Sequence, residues 1–245
     1  MILRRLTKHI KEQNWFAVSL DVLVVITGIF LGMQVTEWNE DRNDRIDGQD
    51  FLARIHKEIV ATELTSSRVK ERRLNLITTL TQAAKVVFDP SKPERLDQDL
   101  CDALATSHYL NIAISELPSM TELMSAGRVA IIEDHPLRTA LIEHQQKAGT
   151  LRETIQSLFF IVHNLPMKHP NLIQSTPYYD EALGEMQSHY QCDLGEMRKD
   201  QAFLNAASEN VDGFDVYLRD GLRPWSTHMT QLHRMLDQKL GISHD

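Results

Sequence analysis

The chain has 245 residues, 42% hydrophobic and 24% charged, and its 26 Lys and Arg stand against 34 Asp and Glu for a formal net charge of −8. Beyond residue 36 the balance is 22 basic to 32 acidic side chains, a surface that repels phosphate and argues against nucleic acid as a partner. About 200 residues outside any membrane span suffice for one ordinary domain with its own core.

The first element is a span. Fourteen of the twenty residues from Phe16 to Val35 are apolar, and at about 1.5 Å per residue the run covers roughly 30 Å, the thickness of a hydrocarbon core. Trp15 and Trp38 flank it as interfacial anchors. A soluble core helix would carry a polar face, which this run lacks. Arg4, Arg5, Lys8 and Lys11 precede the run, and Glu37, Glu40, Asp41, Asp44, Asp47 and Asp50 outnumber Arg42 and Arg45 after it. Positive charge resists translocation, so the N-terminus is expected in the cytoplasm. No Ala-x-Ala site follows the run, and the reading is an uncleaved signal anchor. The expected organisation is a cytoplasmic tail over 1–14, a transmembrane helix over 15–38 and a periplasmic α-helical domain over 39–245, in a bacterial inner membrane.

Within the span, Gly28 and Gly32 form a GxxxG spacing, and Asp21, seven residues before Gly28, falls on nearly the same face. A carboxyl group in a bilayer tends to face a partner or water. The three residues therefore outline a helix-pairing face, for a second copy in a homo-oligomer or for another membrane protein.

From Glu37 to about Phe88 there is no proline and a single glycine, Gly48. Leu52, Ile55, Ile59, Val69, Leu76, Leu80, Ala83 and Val87 occupy a and d positions of a seven-residue frame, with Thr62, Ser66 and Arg73 as weak members. A long helix leaving the membrane is expected, its polar interruptions suiting a bundle; Arg68, Lys70, Arg72 and Arg73 read as its wet side. Asp89-Pro90-Ser91-Lys92-Pro93 breaks it. A short helix follows around 97–108. Ser119-Met120-Thr121-Glu122 reads as a capping box opening a helix that stops at Gly127. Arg128 to Ile132 is the one candidate strand. Asp134 and Pro136 open a further helix running through Val162 to Pro166. Pro166 to Pro177 reads as a loop, and Tyr178 to Leu240 as two or three helices kinked or broken at Pro224. The fold class is all-α.

Cys101 and Cys192 lie on the translocated side, where a disulfide is permitted, and bridging them would close a loop of about ninety residues, worth roughly 4 to 5 kcal/mol on the loop-entropy estimate. Among eleven histidines, His189-x-x-Cys192 is the only close pair of soft ligands, and a disulfide would remove it. His228 and His233, five apart, point to different helix faces. No metal, cofactor or catalytic site is expected: there is no Gly-x-Ser-x-Gly elbow and no phosphate-cradling glycine loop.

The stretch from Asp21 to Glu40, with Gly28, Gln34, Trp38, Asn39 and Glu40, resembles the N-terminal signature of a family of uncharacterised bacterial single-pass membrane proteins. These have a span ending in Gln, then a Trp-Asn-Glu motif, then a long helix. An acid, usually Glu, stands at the Asp21 position there, and Gly32 departs from an Ala. Glu122-Leu123, Ser125, Gly127 and Leu137-Arg138 are similar to a mid-chain motif of the same family. The resemblance implies location and architecture, since the family's function is unassigned. The expected role is a structural or protein-interaction module in contact with the lipid bilayer. A ligand-sensing bundle is the alternative, its signal passing to a membrane partner because about fourteen cytoplasmic residues hold no output domain. An unrecognised enzyme comes third.

Overall fold

The computed structural model describes residues 15–91, 96–182 and 184–243; the basic start at 1–14 and Lys92-Pro93 of the expected break lie outside them. The described residues are mostly helical, and one helix dominates. α1 runs unbroken from Trp15 to Phe88, because nothing in it forbids the α conformation: its interior holds no proline and only three glycines. Every residue from Val22 to Ile46 is exposed, and the first half of the helix is long and apolar enough to cross a membrane.

The second half of α1 is the spine of the core. Leu52, Ile55, Ile59, Leu80, Ala83 and Val87 are buried along the expected seam, and so is Ser66. Thr62, Val69, Arg73 and Leu76 in the same frame are half-buried. The wet-side reading of the basic cluster needs correction at two residues. Arg73 turns inward beside Tyr217, and Lys70 donates to Ser226 Oγ at 3.1 Å.

Around this spine pack α2 (Gln98–Ala105), α3 (Pro118–Ser125), a 3₁₀ turn (Val129–Ile131), α4 (His135–Leu158), the single turn α5 (Leu165–Lys168), the hairpin strands β1 (Ile173–Asp180) and β2 (Glu185–Cys192), the single turn α6 (Leu194–Met197), α7 (Gln201–Val216), a π-helical turn (Tyr217–Leu222) and α8 (Arg223–Leu240). Asp97, Asp134, Asn164, Asp193 and Asp200 cap the helices they precede, each side chain accepting a backbone N–H in the first turn. Gly127 takes φ +66° just past α3, the left-handed stop its position called for.

Three local expectations are overturned. The capping box at Ser119 does not form, because Pro118 already sits in the first turn of α3. Ser119 instead donates its hydroxyl to Glu58 of α1 at 2.6 Å, and Glu122 pairs with Arg54 at 2.6 Å. The candidate strand at 128–132 is the 3₁₀ turn, held by its own backbone bonds. Residues 173–192, expected as loop and helix, form an antiparallel hairpin with Ile173 opposite Cys192 and Asp180 opposite Glu185. At Pro224 the expected kink or break is a change of helix type, with the chain helical on both sides. The preceding turn widens into the π form, and a proline in the first turn of α8 needs no N–H partner there.

Candidate functional site

The apolar half of α1 carries the expected span residues. Trp15 and Trp38 are 72% and 66% exposed. Gly28 and Gly32 have nothing within 4 Å of where a Cβ would stand, and Gln34, Asn39 and Glu40 are exposed. Gly28 and Gly32 thus lie on a helix face left open among the described residues, and Asp21, on nearly the same face, is half-buried. Cys101 of α2 is bonded to Cys192 at the end of β2, which removes Cys192 from the His189-x-x-Cys192 pair.

A second constellation lies between α1 and α8, and no local spacing revealed it. The two helices run antiparallel, so that positions rising along α1 meet positions falling along α8. His56 meets Asp237, Glu63 meets Thr230 and His233, and Lys70 meets Ser226. On α8, Thr230, His233 and Asp237 are spaced i, i+3, i+7 and share one face; on α1, His56 and Glu63 are seven apart and share another. Apolar neighbours fix both helices: Ile55 and Ile59 on α1, Met229, Leu232 and Leu236 on α8, all buried.

The geometry of this cluster is tight. His56 Nε2 is 2.9 Å from Asp237 Oδ1 and 3.3 Å from His233 Nε2, and His233 Nε2 is 3.4 Å from Asp237 Oδ1. His233 Nδ1–H donates to Glu63 Oε2 at 2.6 Å, while Thr230 donates to Glu63 Oε1 at 2.9 Å. The first bond assigns the proton of a neutral His233 to Nδ1 and leaves Nε2 a lone pair turned toward His56 and Asp237. The three side chains are only 12 to 16% exposed. A cavity of about 350 Å³, lined by Glu63, Ser66, Met229, Thr230 and His233 among others, opens on the Glu63 side of His233.

A larger groove, about 870 Å³, lies between α4 and the junction of the π turn with α8. Leu151, Pro224 and Trp225 give it an apolar floor, and Lys147, Arg219, Arg223 and His228 give it a basic rim with Asp220 as the acidic member. Behind the lining residues Trp225 and His228, the buried His144 stacks on the His228 ring, lies tilted against Trp225 and donates through Nε2–H to the Ser115 carbonyl at 3.1 Å. Burial pushes the His144 pKa down to about 4, and that of His228 also falls, first through burial and then through Lys147.

No family model matches the chain, and neither does any curated protein or solved structure.

Proposed function

We propose that the chain is a bacterial inner-membrane protein with residues 1–14 in the cytoplasm, 15–38 across the bilayer and 39–245 as a periplasmic α-helical domain. Its role is that of a structural or protein-interaction module, paired through its span with a second copy or another membrane protein. One observation carries this reading: α1 passes without a break from a segment apolar and exposed on every side into the spine of a packed core. Such a segment left in water would be an aggregation hazard, and a bilayer removes the exposure. The Cys101–Cys192 bond fits a domain outside the reducing cytoplasm.

The test is crosslinking in native membranes. Asp21→Ala and Gly28→Leu are expected to deplete the crosslinked species that the wild-type chain gives, and unchanged bands in both variants would defeat the pairing face. A second reading, a ligand-sensing bundle, is favoured by the basic-rimmed groove. Thermal-shift screening of the full chain in detergent against small anionic amphiphiles is its test: a specific stabiliser whose effect is lost in Arg223→Ala supports it, and none across the screen counts against it.

A further inference from the structure

We propose that His56, His233 and Asp237 bind a divalent transition-metal ion of the zinc class, which would clamp α8 to α1. Three considerations lead there, none of which rests on the membrane reading.

First, the donor atoms are already gathered. Ligands at about 2.0 to 2.1 Å from a tetrahedral ion stand roughly 3.3 to 3.4 Å from one another. Two edges of the His56 Nε2, His233 Nε2, Asp237 Oδ1 triangle are 3.3 and 3.4 Å, and the third, 2.9 Å, is a hydrogen bond that has to open by a few tenths of an ångström. An ion placed over the triangle needs no change of helix position. Second, the donor types select the metal. Two imidazoles and one carboxylate suit zinc, cobalt or ferrous iron, whereas calcium and magnesium take oxygen donors almost exclusively.

Third, the surroundings are those of a ligand set held ready. Glu63 takes the Nδ1 proton of His233, which fixes the ring and directs the other nitrogen at the cluster, and Thr230 in turn holds Glu63. Histidine and carboxylate at i and i+4 on α8 supply two donors from one helix face, and α1 supplies the third. Three protein donors leave a further coordination position for water, and the 12 to 16% exposure of the three side chains leaves them partly accessible. A purely hydrogen-bonded cluster, with His56 Nε2–H donating to Asp237, is the competing description of the same atoms.

The experiment uses the full chain in detergent, stripped with chelator and titrated with Co²⁺ and then Zn²⁺. The expected result is one Co²⁺ per chain with the intense visible absorption of a four-coordinate site, displaced by one equivalent of Zn²⁺. His56→Ala, His233→Ala and Asp237→Ala should abolish that absorption at one equivalent, Glu63→Gln should weaken binding roughly 10- to 100-fold, and the exposed His135→Ala and His189→Ala should leave it unchanged. Absent or weak octahedral absorption from the folded wild-type chain would overturn the proposal, whether or not the variants fold. So would full retention of affinity in folded His233→Ala or Asp237→Ala. Circular dichroism of each apo variant tells lost ligand from lost fold.

Discussion

At the scale of single residues, the sharpest consequences come from groups with no freedom to move. His144 is fully buried and its pKa is held at about 4 against an ordinary 6.5, chiefly by burial, with His228 and Lys147 adding to the depression against the Ser115 carbonyl. The unfolded chain therefore takes up this proton near pH 6.5 and the folded chain only near pH 4. The stabilisation, of order 3 kcal/mol from 1.36 kcal/mol per unit, is complete above pH 6.5 and lost as the pH falls toward 4. Urea midpoints of the full chain should drop across that window, and His144→Gln, which keeps a donor for Ser115, should flatten the slope by up to one proton. Two glycines give opposite answers to one substitution. A Cβ on Gly48 would lie 2.6 Å from the Ile131 carbonyl oxygen, whereas nothing stands within 4 Å of one on Gly149. Gly48→Ala should cost about 1 to 3 kcal/mol by forcing the 3₁₀ turn away from α1. Gly149→Ala should gain up to about 1 kcal/mol as an ordinary helix substitution, both read from thermal or urea unfolding.

Among the elements, the hairpin depends most on its attachments. β1 is buried only at Ile173, and β2 only at Tyr190, and two strands alone are marginal in water. Cys192 ties the end of β2 to α2 through Cys101, closing a 91-residue separation. Reduction, or Cys101→Ser with Cys192→Ser, should cost about 2 to 5 kcal/mol. Hydrogen exchange should lose protection first at the paired amides between Gln174 and Gln191 while the middle of α1 stays protected. The same hairpin marks where local sequence stopped being informative. Strands wet on both faces carry no alternation, and Pro170 and Pro177 read as punctuation, so 173–192 offered no period-two pattern. By contrast α1, its seam, Gly127 and Asp134 were readable because each follows from period, cap or stop chemistry within a few residues. The α1–α8 cluster was not, since His56 and His233 are 177 positions apart and only the antiparallel packing joins them. Its one local hint is the His233-x-x-x-Asp237 spacing on a single helix face.

For the whole molecule, α1 sets how the domain would stand relative to a partner of the proposed span. At 100° per residue, the face of Asp21, Gly28 and Gly32 lies about 170° from the seam of Gly48, Leu52, Ile55 and Ile59. A pair of chains joined through that face would carry their domains on the outside, with the bare sides of the two helices in contact. Asn39 and the 49%-exposed Ile46 continue the pairing side above the apolar run. Oxidative crosslinks between chains are thus expected from Asn39→Cys and Ile46→Cys and not from Asp41→Cys, which lies toward the seam; equal yields from all three would contradict a fixed pair. Arg128 holds Asp44 and Asp47 at 2.8 Å, and Arg45 pairs with Glu133, so the free length of helix between Val35 and the domain is only about eight residues, near 12 Å. That short free length is a phase setting. One residue inserted into it would leave the apolar segment and the core intact and turn the domain by about 100° around the axis of α1. The compass heading of the domain toward a neighbour is encoded by residue count alone.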